Sequence, residues 1–350
     1  MKRIKIMDHS IGNGHPPFII AELGICHEGN VNLALELTKE AINAGAHAVK
    51  TETFQSDKMI FDTSATTSYV INGEKTTVPL DLHMKQFELS LEEHHEVKKL
   101  CDRHDVPFIS TAHDFDAIDF LCDINAAAIK IASPDLIHYP LLAHAAQKGT
   151  PVIMDTGGAL QYEIELAVQT LRANGLDDIM INHNPVGHPA PADKHDLAII
   201  PRLQMLTALP VGISDHYDGY EMLYAATAIG ANILEKPISM DRFDPMPEKG
   251  WSISVPDMEL VFSTVRQIHQ AIGQPERKMS KEAQGYRNQN RMALAAKKDL
   301  QKGDRIIFEN ITFGRPREGI GVEHWDIVQG MKLRNDKKRH QFIHWKDLNE

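Results

Sequence analysis

Eight short apolar runs recur along the N-terminal part of the chain, and this repetition constrains the fold more than any other feature. Most runs are separated by segments in which apolar residues return every three or four positions, the period of an amphipathic helix. Strand and helix in alternation indicate parallel pairing, with both faces of each strand covered, which explains why the runs show no clean polar alternation. The predicted strands are 18–24, 46–54, 106–112, 127–132, 151–157, 178–184, 209–216 and 231–238.

Eight strand–helix units predict closure into a (β/α)8 TIM barrel. An open doubly wound sheet is the main alternative, but no GxGxxG motif follows the first run, so neither that fold nor a nucleotide cofactor is indicated. The chain has 350 residues, more than the roughly 250 of a typical barrel. We therefore predict a barrel over 1–273, a polar linker over 274–290 and a small β-rich domain over 291–350. The long polar stretch 55–85 is expected to cover the site.

Composition narrows the functional class. The net charge is -11, and Lys and Arg form no basic stripe, which argues against a nucleic-acid surface. No apolar run approaches the roughly 18 residues of a membrane span, and the N-terminus lacks the apolar core of a signal peptide. Three cysteines without CxxC spacing indicate neither disulfides nor structural zinc. We expect a soluble cytoplasmic protein with no nucleic-acid or membrane partner.

Polar residues cluster at the carboxyl ends of the predicted strands, where barrel enzymes build their active sites. Buried lysines and carboxylates are costly unless they are paired or functional, and two lysines match an anionic ligand. Taken singly, each residue is also compatible with a strand-end, capping or packing role. The candidates are Glu22, Lys50, Glu52, Thr111, Lys130, Ser133, Asp135, Asp155, His183, Ser214, Asp215, His216, Glu235 and Lys236.

Several of these residues lie in longer motifs. They are FIIAELGICHEGN at 18–30, AGAHAVKTETF at 44–54, PFISTAHD at 107–114, AIKIAS at 128–133, LPVGISDH at 209–216 and ILEK at 233–236. With these motifs the chain resembles the sialic acid synthase family, which includes N-acetylneuraminate, legionaminate and pseudaminate synthases. The C-terminal segment 295–321 is similar to the family's antifreeze-like, or SAF, domain, and Arg315 and Pro316 match its RP pair.

The resemblance implies condensation of phosphoenolpyruvate with an acylated amino sugar to a 2-keto-3-deoxy sugar acid, assisted by Mn²⁺ or Mg²⁺. It implies that Glu22 lies beside the enol and the sugar carbonyl, and that His216 ligates the metal. Arg315 would reach the substrate of the partner subunit in a domain-swapped homodimer. The residues implied to hold phosphoenolpyruvate, or a related small anion, are Lys50, Thr111, Lys130, Ser133 and Ser214.

The chain departs from the family pattern at several site positions. Pro237 stands where the family has a second metal histidine, and the family's aspartate falls on Lys249 or, with a shift, on Glu248. Other family residues are replaced as follows: glutamine by Glu52, the GE or GD pair by Pro134 and Asp135, serine by Asp155, asparagine by Val186 and tyrosine by His188. We keep Glu52, Asp135, Asp155 and His188 as candidate substrate-binding residues, but the exact substrates stay open.

Two alternatives to a synthase remain at this point. A divergent aldolase or lyase on the same barrel would form a Schiff base through Lys50 or Lys130 and need no metal. A non-catalytic protein of carbohydrate metabolism is the other alternative. The retained Glu22, Lys50, Lys130 and Ser214 favour an enzyme. We predict that its catalytic residues are Glu22, Lys50, Lys130 and His216.

Overall fold

A computed structural model describes residues 2–71, 74–243 and 248–349. The chain forms two compact units, Met1–Gly273 and Gln274–Glu350. In chain order the strands are β1 (Ile4–Ile6), β2 (His9–Ile11), β3 (Phe18–Glu22), β4 (Ala48–Thr53), β5 (Thr66–Ile71), β6 (Glu74–Pro79), β7 (Phe108–Ala112), β8 (Ala128–Ile131), β9 (Val152–Asp155), β10 (Ile179–His183), β11 (Val211–Ser214), β12 (Ile233–Ser239), β13 (Ile253–Ser254), β14 (Ala293–Ala296) and β15 (Ile311–Gly314). The helices are α1 (Val31–Asn43), α2 (Ser56–Met59), α3 (Leu80–Lys85), α4 (Leu91–Arg103), α5 (Phe115–Asp123), α6 (Tyr139–Lys148), α7 (Gln161–Ala173), α8 (Ile199–Thr207), α9 (Glu221–Ala228), α10 (Val255–Ile272), α11 (Lys281–Asn290) and α12 (Trp325–Val328).

Eight parallel strands of the first unit close into a barrel in the order β3, β4, β7, β8, β9, β10, β11, β12. The last strand pairs with the first, with Pro237 opposite Glu22 in the register. Each of the eight predicted apolar runs overlaps one of these strands, with β12 ending one residue beyond its run, so the TIM-barrel prediction is confirmed. Among the described residues, no helix is long and apolar enough to cross a membrane.

The N-terminal hairpin β1–β2 fills the lower end of the barrel. Ile4, Ile6 and Ile11 form a cluster with inward-facing residues of nearly every barrel strand, including Phe18 and Ile20 of β3. This apolar layer closes the amino end of the barrel, so a polar site is open only at the carboxyl end. The opposite faces of the strands form the main core with the surrounding helices.

Local sequence signals set the helix boundaries. The side chain of Asn30 accepts hydrogen bonds from the first backbone N–H groups of α1, and Asp114 caps α5 in the same manner. Ser90 and Glu93 form a reciprocal capping box at the start of α4. Gly149 ends α6 in the left-handed conformation, which glycine adopts without steric cost.

The stretch 55–85 is not the structureless loop that its polar sequence suggests. It contains α2, the antiparallel hairpin β5–β6 and α3. Its described residues do not line the cavity at the mouth of the barrel, and a covering role for this stretch stays a prediction. Gln55, Lys58 and Lys85 instead line a separate concavity beside α4 and α5.

The second unit has its own apolar core, built from residues such as Leu294, Ile306 and Ile343. Strands β14 and β15 pair antiparallel, as expected for a β-rich module. The polar segment 274–290, which we predict as a linker, groups with this unit and contains helix α11. Ser280 caps that helix by accepting a hydrogen bond from the N–H of Ala283.

Candidate active site

Strand alternation places a polar layer directly above the apolar plug of the barrel. Successive inward residues on a strand are two positions apart, so Ile20 is followed by Glu22, Ala48 by Lys50 and Ile109 by Thr111. The other strands repeat this pattern, which gives the layer Lys130, Asp155, Asn182, Ser214 and Glu235. A cavity of about 300 Å³ opens above it. Its lining residues are Glu22, Lys50, Glu52, Thr111, Ala132, Ser133, Pro134, Asp155, Gly157, Asn184, Val186, His188, Ser214, His216 and Glu248.

Lys50 lies at the centre of this layer and is almost fully buried. Its Nζ donates to Glu22 Oε1 and, at 3.2 Å, to Thr111 Oγ1. Nζ also lies 3.5 Å from Glu235 Oε1 and 3.7 Å from Glu52 Oε1. Burial alone would lower the pKa of Lys50, but Glu22 and Glu235 outweigh it and hold that pKa well above its usual range. Lys50 is therefore a permanent cation.

Lys130 is the second buried cation. Its Nζ donates to Glu235 Oε1 at 2.5 Å and lies 3.0 Å from Asp155 Oδ1. Burial lowers its pKa, but Asp155 and Glu235 together raise it above the usual value. Glu235 Oε1 thus lies within ion-pair distance of both lysines, which holds the two ammonium groups close together. Glu235 also accepts hydrogen bonds from Asn182 and Ser214.

The carboxyl groups of this layer are not equivalent. Burial would raise the pKa of Glu235, but Lys130 and Lys50 lower it to about 2. Burial, reinforced by Glu235 and Glu52 and opposed by Lys50, raises the pKa of Glu22 to about 7. Glu235 therefore stays ionised, whereas Glu22 titrates close to neutral pH. Two carboxylates whose pKa values are pushed apart indicate a site equipped for proton transfer.

Hydroxyl and amide groups line the side of the cavity formed by β8, β9 and β10. Ser133 Oγ accepts a hydrogen bond from Gly157 N at 2.9 Å, and Asn184 Nδ2 donates to Asp155 Oδ2 at 3.0 Å. A Cβ at Gly157 would lie 2.7 Å from Ser133 Oγ and 3.3 Å from Asn184 O. The close approach of these groups therefore requires glycine at position 157.

Aromatic rings form another part of the cavity wall. The centroids of His188 and His216 lie 4.5 Å apart, and Trp251 lies 5.6 Å from His188. Burial and the neighbouring His188 lower the pKa of His216 to about 3, so its imidazole is neutral. Its Nδ1 is buried and has no hydrogen-bond partner among the described residues.

Glu248 resolves the ambiguity that the sequence leaves after the eighth strand. Its Oε2 accepts a hydrogen bond from Ile25 N at 2.8 Å, and its side chain lines the cavity. Lys249 forms an ion pair with Glu28 and does not line the cavity. A Cβ at Gly24, which has φ of 48°, would lie 2.2 Å from Glu248 Oε2. Burial, with Glu52 and Glu22 adding to it, raises the pKa of Glu248 to about 8.

The donor set for the divalent metal that the family resemblance implies is incomplete. His216 offers one neutral imidazole, but proline occupies position 237, and proline has no side-chain donor. Within 2–71, 74–243 and 248–349, no three His, Cys, Asp or Glu side chains converge closely enough to hold an ion. The residues present therefore do not fit that metal, and no catalytic step is assigned to one.

Several predicted residues lie elsewhere. Asp135 does not line the cavity and shares a hydrogen bond with His113. His183 Nε2 contacts the backbone oxygen of His195 at 2.6 Å. Asp215 forms a buried network with Lys236, at 2.8 Å, and with His195, at 3.0 Å. His183, Asp215 and Lys236 each follow an inward-facing residue by one position, namely Asn182, Ser214 and Glu235. Their side chains therefore point away from the barrel interior.

Arg315 belongs to the second unit, where it lines a concavity of about 540 Å³ together with three other arginines, Arg277, Arg287 and Arg291. Two polar residues in or beside the cavity were not among the predicted site residues. They are Asn184, which lines the cavity, and Asn182, which orients Glu235. Counting by twos from Met180 along β10 identifies Asn182 as inward-facing.

Comparisons with known proteins agree with this architecture. The NeuB family model matches residues 37–277, and the SAF domain model matches residues 291–349. An uncharacterized protein of Methanocaldococcus jannaschii is 33% identical over 348 residues, which cover 99% of each chain. The N,N'-diacetyllegionaminic acid synthase of Legionella pneumophila is 31% identical over 326 residues, which cover 92% of each chain.

Among solved structures, the N-acetylneuraminic acid (sialic acid) synthetase of Leptospira borgpetersenii serovar Hardjo-bovis, in complex with citrate, is similar with a TM-score of 0.73. It is 28% identical, and the match covers 82% of this chain and 96% of that one. The family model spans well over half of the chain, and the relatives are similar along nearly all of their length. The chain therefore belongs to the NeuB family and carries a C-terminal SAF domain.

Proposed function

We propose that this protein is a carbon–carbon bond-forming transferase that condenses phosphoenolpyruvate with an amino sugar to a 2-keto-3-deoxy sugar acid. The observation that carries the proposal is the pair of buried lysines, Lys50 and Lys130, held at ion-pair distance from Glu235 Oε1. Two fixed ammonium groups, with the hydroxyls of Thr111, Ser133 and Ser214 around them, suit a small dianion or trianion. The named synthases among the relatives point to the same reaction class.

In the proposed reaction, C3 of phosphoenolpyruvate attacks the carbonyl carbon of the open-chain sugar. The carbonyl oxygen takes up a proton and becomes a hydroxyl group. Water then adds to C2 of the former enol, and inorganic phosphate leaves, so one water is consumed for each keto acid formed. Lys50 and Lys130 neutralise and orient phosphoenolpyruvate. Its C3 is thereby held close to the carbonyl carbon of the sugar.

Glu22 is our candidate for the proton transfer. It contacts Lys50 and faces the cavity, and its pKa of about 7 leaves a protonated fraction near neutral pH. A carboxylic acid in this state can donate to the developing alkoxide and then accept a proton from the attacking water. Glu235, with its pKa of about 2, instead remains the fixed counter-charge of both lysines.

The Schiff-base alternative fits these lysines less well. A lysine that attacks a carbonyl must lose its proton, and burial without a counter-charge is the usual way to achieve this. Lys50 and Lys130 each contact carboxylates that raise their pKa. Both are therefore held as ammonium groups, which bind anions but do not attack carbonyl carbons.

The test is phosphate release from phosphoenolpyruvate with a panel of acylated and free amino sugars, run with and without manganese. We expect sugar-dependent phosphate release, and loss of it in the Lys50→Met variant. Trapping with borohydride in the presence of pyruvate is the counter-experiment. A stable adduct on either lysine, with no phosphate release from phosphoenolpyruvate in the presence of any sugar, would refute the synthase proposal.

We also propose a cytoplasmic homodimer in which the SAF domain of one chain completes the site of the other through Arg315. Arg315 is exposed and has no ion-pair partner in the described part of the chain. Its planar guanidinium group suits a sugar hydroxyl or carboxylate better than a lysine would. This proposal predicts shared active sites, which subunit mixing can detect.

A further inference from the structure

The candidate cavity holds more carboxyl groups than cationic groups. Five carboxyl groups, those of Glu22, Glu52, Asp155, Glu235 and Glu248, line it or contact its lysines, whereas among the described residues Lys50 and Lys130 are the cations there. The two other lysines near the barrel mouth are engaged elsewhere, Lys236 by Asp215 and Lys249 by Glu28. Phosphoenolpyruvate would add further negative charge to this excess.

The excess is concentrated on one side of the cavity, which we call the acidic wall. It consists of Glu22 on β3, Glu52 on β4 and Glu248 after β12, and β3 lies between β12 and β4 in the barrel. In a closed barrel of eight strands, β3 faces β9, so the acidic wall lies opposite Asp155 and the Ser133 hydroxyl. The hydroxyl and amide groups that suit a phosphoryl group are thus on the far side.

The oxygens of the acidic wall have few partners among the residues that the structure describes. Glu22 is only 6% exposed, and its Oε2 has no hydrogen-bond partner among them. Glu52 lies 3.7 Å from Lys50 but makes no hydrogen bond in the described part of the chain. Glu248 accepts one hydrogen bond, from Ile25 N. Buried polar atoms are normally paired, so these oxygens indicate a ligand that donates hydrogen bonds.

His216 provides a separate indication from outside the acidic wall. It is 9% exposed, it lines the same cavity, and its buried Nδ1 has no partner among the described residues. A neutral imidazole with a free nitrogen is a further acceptor or donor for a polar ligand. The cavity therefore holds unpaired groups of two chemical types around one space of about 300 Å³.

From this arrangement we propose that the acceptor sugar presents a cationic nitrogen, an ammonium or amidinium group, to the acidic wall through Glu52 and Glu248. The inference rests on the proposed function and specifies the class of its second substrate. An ammonium group offers three donors and one positive charge, which matches unpaired carboxylate oxygens. An N-acetyl group in the same place offers one donor and a carbonyl oxygen that these carboxylates would repel.

The charge state of the acidic wall is consistent with this ligand. Without a bound cation, burial and mutual repulsion raise the pKa of Glu22 to about 7 and that of Glu248 to about 8. A cation placed beside Glu52 and Glu248 would lower the pKa of Glu248, so binding would release a proton. Glu248 is then ionised when the sugar is bound and partly protonated when it is absent, whereas Glu22 stays available as the proton donor.

The experiment compares three sugars that differ at one position: mannosamine, N-acetylmannosamine and mannose. We expect kcat/KM for phosphate release from phosphoenolpyruvate to be at least ~10-fold higher with mannosamine than with the other two. Glu52→Gln removes the charge and keeps the shape of the side chain. In this variant the preference for mannosamine over N-acetylmannosamine should fall ~10-fold, whereas Glu92→Gln on the exposed face of α4 should leave it unchanged.

Direct binding separates this inference from the proposed function. Calorimetry with each sugar and no donor should show tighter binding of mannosamine than of mannose to the wild type, with the difference reduced in Glu52→Gln. If no sugar supports phosphate release but this pattern holds, the synthase proposal fails and the cationic ligand stands. Equal binding of the three sugars, or a wild-type preference for N-acetylmannosamine in either assay, overturns the inference. Thermal unfolding of each variant confirms that it is folded.

Discussion

Lys130→Met offers the sharpest test of the charge layer, because it removes an ammonium group while it keeps most of the apolar stem. The side chain of Lys130 is 1% exposed, and its Nζ contacts Glu235 at 2.5 Å and Asp155 at 3.0 Å. Breaking a buried ion pair by deleting one partner costs about 3–5 kcal/mol. Here two buried carboxylates lose the same partner, although Glu235 keeps Lys50 and Asp155 keeps the amide of Asn184. We therefore expect a loss of about 3 kcal/mol in the free energy of unfolding.

The loss should depend on pH in a definite direction. Without the ammonium group, the pKa values of Glu235 and Asp155 in the folded state rise, while the unfolded values stay near ~4. A carboxyl group with a raised folded pKa binds its proton more tightly in the folded state, so stability falls as pH rises from the unfolded toward the folded pKa. The deficit of the variant relative to the wild type should thus be larger at about pH 7 than at about pH 5.

Urea unfolding at these two pH values measures the effect. The matched control is Lys99→Met, which removes a cation from an exposed pair with Glu96 on α4 and should cost at most ~1 kcal/mol. The double variant Lys130→Met with Glu235→Gln should recover part of the stability, because it removes one of the uncompensated charges. A Lys130→Met protein within ~1 kcal/mol of the wild type at neutral pH, or one whose deficit grows on acidification, would refute this account of the layer. Its affinity for phosphoenolpyruvate should also fall ~10-fold or more.

Four further predictions concern single elements of the site. If protonated Glu22 is the proton donor, kcat/KM for phosphate release should decline as pH rises through about 7, and Glu22→Gln should abolish that limb of the pH profile. Gly157→Ala places a Cβ 2.7 Å from Ser133 Oγ, so we expect a stability loss of ~1–3 kcal/mol in urea unfolding and a raised KM for phosphoenolpyruvate. Because Pro237 supplies no ligand, the protein should retain no stoichiometric divalent ion after dialysis against a chelator, as measured by atomic emission; one tightly held ion per chain would contradict this. Mixed Arg315→Ala and Lys50→Met chains should recover part of the activity that each lacks alone, and no recovery despite demonstrated subunit exchange would exclude shared sites.

The fold followed closely from the sequence because barrel strands are buried on both faces and leave continuous apolar runs. The runs 46–54 and 178–184 contain β4 (Ala48–Thr53) and β10 (Ile179–His183) with margins of only one or two residues. The hairpin β5–β6 was harder to predict. Its strands, TTSYVI and EKTTVP, are short and largely polar, so the segment lacks the apolar periodicity that distinguishes a strand from a loop.

The sequence predicted which strand ends form the candidate site, but not which of two neighbouring residues on a strand faces the barrel interior. A shift of one residue along a strand moves a side chain to the opposite face, and for this reason His183 contacts the carbonyl of His195 while Asn182 holds Glu235. Lys236 is likewise paired with Asp215 outside the barrel interior. Glu248 reaches Ile25 from more than two hundred positions away. No local pattern encodes such a contact, because it depends on how the barrel closes.

Two carboxylates that depart from the family pattern, Asp155 in the polar layer and Glu52 one step above it on β4, have different surroundings. Asp155 contacts Lys130 and accepts a hydrogen bond from Asn184, so we expect it to compete with the donor anion for Lys130. Glu52 makes no hydrogen bond among the described residues, its side chain is 24% exposed, and it lines the cavity. Its carboxylate is therefore available to bind the acceptor sugar. We expect both carboxylates to weaken anion binding and to favour a cationic group, and neither contributes to the apolar plug beneath. The apolar plug packs inside the barrel, whereas the polar residues above it set the charge of the cavity. A chain can therefore keep the family fold while it binds a sugar of different charge.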